Sequence, residues 1–173
     1  MKVDPGYFGL ALSTTRDEFV SRHPLLFLFG IARLTEFGDV STTRVMHVMS
    51  DHTAPLRIPG GAEPISDLEE EPLILAVRKT RQKHTGLISV GRIDLNDIVL
   101  CDPLISKLHA HFRIHPDRVE LADAGSSNGT FVNERGIGQH SVSVVPGDAI
   151  RFAQLAFTLC TAAMCWDRVH GVT

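Results

Sequence analysis

Residues 109–132 read HAHFRIHPDRVELADAGSSNGTFV, which contains three short β-like runs separated by turn residues. The runs are 109–114, 118–121 and 130–132, and the breaks between them contain Pro116-Asp117 and Asn128-Gly129. Such dipeptides are typical of tight turns. Runs this short between turn signals are typical of an antiparallel β-sandwich, and they leave no room for a helix of about three turns.

The same pattern continues on both sides of this stretch. Further strands are predicted at 73–78, 87–90, 98–100, 142–145, 149–152 and 155–160, and two more precede them at 25–29 and 42–49. Thr15, followed three residues later by Glu18, forms a capping box that predicts a short helix from Arg16 to about His23. The expected fold is therefore all-β: an antiparallel sandwich of about eleven strands with a short N-terminal helix.

Charge divides the chain near residue 72. Much of the acidic excess lies in residues 63–71, which follow several prolines and glycines and are typical of a solvated loop. We expect an N-terminal segment (1–24), a region of strands and acidic loop packed on the sandwich (25–71), a core domain (72–165) and a C-terminal tail (166–173). The run 25–29 either supplies the first strand of the sandwich or belongs to a separate element. Integration is favoured, because so apolar a strand otherwise exposes a hydrophobic edge.

Composition limits the class of protein. The chain has 173 residues and a net charge of −3, so it carries no strong attraction for nucleic acid or an anionic membrane. Its apolar runs are much shorter than the roughly 20 residues that span a bilayer, and its first residues lack the pattern of a signal peptide. Three cysteines without a Cys-x-x-Cys spacing fit a reducing compartment. We therefore expect a cytoplasmic protein without nucleic-acid or membrane partners.

Four sequence blocks that carry recognition chemistry follow one another within about forty residues: 91–92, 96–100, 105–110 and 126–133. Arg92 lies at the end of a predicted strand, and its planar fork suits phosphate or carboxylate. Ser106 offers a hydroxyl and Lys107 adds a positive charge. Asn128 lies in a turn, where its amide can both donate to and accept from the backbone of a ligand. The blocks together indicate a site for an anionic ligand.

As an ordered set, these blocks resemble the forkhead-associated (FHA) domain, a β-sandwich module that binds phosphothreonine peptides through its apical loops. The resemblance runs from about residue 72 to 162 and includes 146–152, which is similar to the Gly-Asp turn and following strand of the family. It implies a set of residues that bind the phosphopeptide and a set that supports them. The binding set is Arg92, Ser106, Lys107, Ser127 and Asn128, and the supporting set is Gly91, His109, Gly129 and Asn133.

The chain departs from the family pattern at two places. Pro103-Leu104 sets the approach to Ile105-Ser106, and Phe152-Ala153-Gln154 stands where the final turn of the family usually has a glycine. Neither departure changes a residue of the predicted binding set. All five residues of the predicted binding set therefore remain candidates for phosphopeptide binding.

The function that the resemblance implies is that of a phosphothreonine reader, which recruits a protein or peptide after a Ser/Thr kinase has acted, without catalysis and without a cofactor. A phosphate-independent interaction domain on the same sandwich is the alternative.

A serine hydrolase is a remote alternative, because residues 125–129 fit Gly-x-Ser-x-Gly. That motif requires a helix after the serine, whereas residues 130–133 predict a strand. His109 and His111 lack a third ligand at metal spacing, so no metal site is expected. The oligomeric state is left open.

Overall fold

Alternation of apolar and polar side chains builds two sheets in the computed structural model, which describes residues 6–23, 25–35, 45–48, 70–80 and 86–171. The seven-stranded sheet contains β1 (Leu26–Thr35), β2 (Val45–Val48), β3 (Glu70–Val77), β8 (Thr130–Val132), β9 (Arg135–Ile137), β11 (Ala149–Phe152) and β12 (Leu155–Thr161). The five-stranded sheet contains β4 (Leu87–Gly91), β5 (Ile98–Val99), β6 (Ala110–Ile114), β7 (Val119–Asp123) and β10 (Val142–Val144). All described pairs of strands are antiparallel except β4 with β5. The predicted all-β sandwich is confirmed.

The main hydrophobic core lies between the two sheets. Alternate residues of β12, namely Leu155, Phe157 and Leu159, are buried against residues of the five-stranded sheet. Phe112 of β6 and Phe152 of β11 meet edge to face across the core, with ring centroids 6.4 Å apart. Edge-to-face contact is a favoured geometry for aromatic pairs. This packing fixes the ends of the strands from which the long loops emerge.

β1 is an inner strand of the seven-stranded sheet. Residues 26–29 pair with residues 158–161 of β12 on one side, and residues 26–33 pair with β3 on the other. The apolar run at 25–29 therefore lies within the sheet. β3 begins at Glu70, inside the stretch expected to be an acidic loop, and residues 63–69 lie outside the described residues. The proposed domain limits stay predictions.

Three helices cover the outer face of the seven-stranded sheet: α1 (Gly6–Ser13), α2 (Arg16–Arg22) and α3 (Ala162–Val169). α2 is the helix predicted from the capping box, and the Thr15 hydroxyl accepts from the backbone N–H of Glu18. The helices bury a second apolar cluster with the sheet, whose fully buried members include Phe19, Phe27 and Cys165. Among the described residues, none of the helices has the length and apolar character needed to cross a bilayer.

Three elements differ from the sequence-based expectation, and the first of them, α1, was not predicted. Residues 166–169, expected to begin a C-terminal tail, belong to α3, whose first turn is capped by the Thr161 hydroxyl through the N–H of Met164. β9 was not predicted, because Arg-Gly-Ile is short and has no alternation. It forms a hairpin with β8 through Asn133 and Glu134, whose φ angles of 47° and 63° are those of a two-residue hairpin turn.

Candidate functional site

An open depression of about 410 Å³ lies at one end of the sandwich, where two loops and the end of β4 meet. We call residues 100–109 the first recognition loop and residues 124–129 the second recognition loop. The depression is lined by all five residues of the predicted binding set, together with four apolar residues of the first loop: Arg92, Ser106, Lys107, Ser127 and Asn128, with Pro103, Leu104, Ile105 and Leu108. The fold thus brings together residues from three separate sequence blocks.

Arg92 is held on the first recognition loop by two bonds. Its Nε donates to the Ile105 carbonyl at 3.1 Å, and its backbone N–H donates to the Ser106 carbonyl at 3.0 Å. The two terminal amino groups of the guanidinium make no hydrogen bond within the described residues, so they remain available to an anion. Arg92 does not pair with Asp97, whose carboxylate accepts instead from Lys79, Thr80 and Ser89. The cation therefore faces the depression already oriented.

Ser106 is oriented as a hydrogen-bond donor toward the depression. Its Oγ accepts the backbone N–H of Ser127 at 3.1 Å, a contact that joins the two recognition loops. Because this bond occupies one lone pair, the hydroxyl proton is left to donate to a further acceptor. Ser106 thus combines a structural contact with an unused donor.

His109 connects the two recognition loops from beneath. It is fully buried, and its Nδ1 accepts the backbone N–H of Ser106 at 3.1 Å. An accepting Nδ1 places the single proton of the neutral ring on Nε2, which donates to the Gly129 carbonyl at 3.1 Å. Burial lowers the pKa of His109, against the opposing effect of its bond to Gly129. The ring is therefore a neutral bridge between the two recognition loops.

We expect the protein to lose stability as the pH falls below about 6.5, the ordinary pKa of histidine. The unfolded chain binds a proton at His109 at a higher pH than the folded chain does, so acid favours unfolding. His111, whose pKa burial also lowers, acts in the same direction. Thermal unfolding between pH 5 and 7.5 checks the trend. An NMR titration in which the His109 ring titrates no lower than in the urea-unfolded protein contradicts the assignment.

Asp123 organises the second recognition loop. Its carboxylate accepts from the backbone N–H groups of Gly125 and Ser126, both at 2.8 Å, and from two hydroxyls, of Ser126 at 2.6 Å and of Thr130 at 2.7 Å. Burial on its own raises the pKa of Asp123, but the hydrogen bonds from Ser126 and Thr130 outweigh it and hold the pKa below its usual range. Ser126 Oγ in turn accepts from the N–H of Gly129 at 2.9 Å. Sequence reasoning missed Asp123, although an aspartate shortly before Gly-Ser is a turn signal.

Gly91 supports the first recognition loop by leaving space. A Cβ at this position would lie 2.3 Å from the Lys107 carbonyl oxygen and 2.6 Å from Asn96 Nδ2. Asn96 uses the same space to donate from Nδ2 to the Lys107 carbonyl at 2.7 Å. Only glycine therefore fits where β4 passes under Lys107.

Asn128 and Gly129 shape the rim of the second recognition loop. Asn128 Nδ2 donates to the Leu104 carbonyl at 2.7 Å, so its amide joins the rims of the two loops in the free protein. Gly129 has a φ of +79° and lies against the Phe131 ring, so a side chain there is strained. Both residues therefore lie where the sequence blocks placed them.

Asn133, the last of the predicted supporting residues, is not among the residues that line the depression. Its side chain donates to Asp148 Oδ1 at 2.8 Å and accepts the Ala149 N–H at 3.0 Å. These bonds hold the turn between β8 and β9 against the turn between β10 and β11. The contacts of Asn133 thus stabilise the sheet, and none of them reaches a recognition loop.

The Gly-x-Ser-x-Gly motif does not form the nucleophile elbow of a hydrolase. Ser127 lies in a loop that leads directly into strand β8, whereas the elbow requires a helix after the serine. The backbone N–H of Ser127 is donated to Ser106. The local structure is therefore wrong for the hydrolase alternative.

Several known proteins are similar to this chain over part of its length. The family model of the FHA domain matches residues 88–153. The glycogen accumulation regulator GarA of Mycobacterium tuberculosis is 32% identical over 76 residues, which cover 44% of this chain and 46% of that protein. The oxoglutarate dehydrogenase inhibitor of Corynebacterium efficiens is 38% identical over 66 residues, which cover 38% of this chain and 45% of that protein.

Among solved structures, Mycobacterium tuberculosis EmbR in complex with a low-affinity phosphopeptide is similar, with a TM-score of 0.42 and 28% identity over 56% of this chain and 23% of that chain. The chain spans about half the length of the curated relatives that it matches.

Proposed function

Since residues 88–153 of this chain match the family model of the FHA domain, we propose that the chain binds phosphothreonine peptides and recruits a partner protein after a Ser/Thr kinase has acted. The observation that carries the proposal is the convergence of Arg92, Ser106, Lys107, Ser127 and Asn128 on one depression.

The chemistry of the depression fits a phosphate. A phosphothreonine carries a charge of about −1.5 to −2 at neutral pH and three acceptor oxygens. The terminal amino groups of Arg92 and the hydroxyl of Ser106 supply oriented donors, and Lys107 adds a second positive charge beside them. Each charge-assisted hydrogen bond contributes about 1.5–3 kcal/mol net. Two or three such bonds account for selective binding of the phosphorylated form.

The same depression favours threonine over serine. Its lining includes Pro103, Leu104 and Ile105, so apolar surface lies beside the phosphate donors. Burying the methyl group of phosphothreonine stabilises the complex by about 0.8 kcal/mol. We therefore expect a preference for phosphothreonine over phosphoserine of about fourfold.

A titration with three matched peptides tests the proposal. The peptides share one sequence and contain phosphothreonine, phosphoserine or unmodified threonine at a single position, drawn from a randomised library to find the best flanking residues. We expect the phosphothreonine peptide to bind most tightly and the unmodified peptide to bind at least about a hundredfold more weakly. Equal binding of all three peptides would refute the proposal and indicate a phosphate-independent interaction domain.

The biological role proposed is regulation by binding. Two relatives carry the names of a regulator and of an enzyme inhibitor, which describe control of other proteins. The three cysteines are free thiols, as a reducing compartment requires. The proposed role is accordingly that of a cytoplasmic binding module that regulates a partner protein, and the proposal includes no catalytic activity and no nucleic-acid or membrane partner.

A further inference from the structure

The turn between β11 and β12 contacts both recognition loops from inside the sandwich. Ala153 has a φ of +53°, and its N–H donates to the Gly129 carbonyl, at the end of the second loop, at 2.9 Å. The next residue, Gln154, donates from Nε2 to Asp102 Oδ2, in the first loop, at 3.2 Å. This is the turn in which the chain departs from the glycine that the family resemblance leads one to expect.

Asp102 fixes the part of the first recognition loop that leads to Ser106. It is 1% exposed, and its Oδ1 accepts the backbone N–H of Leu104 at 2.7 Å. Its backbone carbonyl accepts the N–H of Ile105 at 3.1 Å. The two bonds fold residues 102–105 into a tight turn, and the orientation of the carboxylate sets where that turn lies.

The position of the turn at Asp102 determines where three polar groups of the depression lie. The Leu104 carbonyl accepts from Asn128, and the Ile105 carbonyl accepts from Arg92 Nε. Ser106, which follows directly, holds Ser127 through its Oγ. A rotation of the Asp102 carboxylate therefore shifts the acceptors that orient Arg92 and Asn128, as well as the Ser106 hydroxyl.

We propose that Gln154 is a positioning residue for phosphopeptide binding, which acts through Asp102. The inference rests on the proposed function of the depression. Gln154 supplies a neutral N–H donor to a buried carboxylate, and loss of a donor to a buried charged group leaves that group undersolvated. Without this donor, Asp102 turns toward other donors and the first recognition loop moves away from the geometry that the phosphate needs.

Two single variants and one double variant separate this role from general stability. Gln154→Met keeps the volume and the neutral charge but removes the donor. Gln154→Glu places a second carboxylate against Asp102. In the double variant Asp102→Asn with Gln154→Glu, donor and acceptor exchange places, the net charge returns to that of the natural chain, and the new amide oxygen at position 102 still accepts from Leu104. Each protein is measured for affinity to the phosphothreonine peptide, for melting temperature and for the amide NMR shifts of Leu104 and Ser106.

We expect affinity losses of about threefold for Gln154→Met and about tenfold for Gln154→Glu, with shifted Leu104 and Ser106 resonances. The double variant is expected to return within about twofold of the natural affinity. Natural affinity and unshifted resonances in folded Gln154→Met and Gln154→Glu would overturn the inference, as would a folded double variant without recovery. If Gln154→Glu does not fold, Gln154→Met alone decides. Failure of the natural protein to bind any phosphothreonine peptide would overturn the proposed function instead, and the NMR shifts would still report whether Gln154 positions the loop.

Discussion

Replacement of Arg92 by alanine is expected to weaken binding of a phosphothreonine peptide by about tenfold to a hundredfold or more. The substitution removes the two terminal amino groups that face the depression and also the bond from Nε to the Ile105 carbonyl. Arg92 is exposed, so its removal leaves the hydrophobic core intact. Titration calorimetry with the matched peptides measures the change, and thermal unfolding verifies that the variant is folded.

Two further variants define what the guanidinium contributes. Arg92→Lys keeps the charge but loses the planar fork, so we expect an affinity between those of the natural protein and of Arg92→Ala. Arg113→Ala removes an arginine that is also exposed, on β6, and is not among the residues that line the depression. It is the matched control and is expected to bind as the natural protein does. Equal affinity of Arg92→Ala and Arg113→Ala would refute the role of Arg92.

Replacement of Gly91 by alanine is expected to lower the free energy of unfolding by about 3 kcal/mol. The new methyl group would lie 2.3 Å from the Lys107 carbonyl oxygen, a backbone atom that cannot move without moving the first recognition loop. It would also displace Asn96, whose Nδ2 donates to that same carbonyl. Because the loop carries Ser106 and Lys107, peptide affinity is expected to fall together with stability. Urea unfolding and the peptide titration measure the two effects.

Gly138→Ala is the control for this variant. A Cβ at Gly138 meets no atom within 4 Å, and its φ lies outside the left-handed region. We expect its free energy of unfolding to stay within about 0.5 kcal/mol of that of the natural protein. If Gly91→Ala proves as stable as Gly138→Ala, the close approach between β4 and the first recognition loop does not hold.

Strands such as β6, β11 and β12 were predictable because they bury alternate side chains against the main core. Leu155, Phe157 and Leu159 show this period of two directly in the sequence. β9 escaped prediction because its pairing comes from the turn at Asn133 and Glu134 rather than from apolar alternation. α3 escaped because its cap at Thr161 has Met164 where a capping box has a glutamate or glutamine. An incomplete capping box is too weak a sequence signal to distinguish a C-terminal helix from an irregular tail.

The candidate site was predictable where the type of side chain alone suggests what it can bind. Arg92, Ser106 and Asn128 were predicted because a cation, a hydroxyl and a turn amide each suit an anionic ligand, and the structure brings them together at one depression. Asp102 and Gln154 were not found, since they are far apart in the sequence and only the packing of the two sheets brings them within 3.2 Å. Side chains whose chemistry suits a ligand can thus be recognised in the sequence, whereas the contacts that hold them in place are visible only in the fold.

The register of β1 determines which end of the sandwich its last residues face. β12 begins at Leu155, immediately after the turn that contacts both recognition loops, and β1 runs antiparallel to β12. The C-terminal half of β1, which pairs with β2 through Thr35, therefore points to the end of the sandwich that bears the depression. The last residues of β1 thus lie at the same end of the sandwich as the depression, so a fluorescent label on the backbone segment that ends β1 is a starting point for an optical reporter of peptide binding.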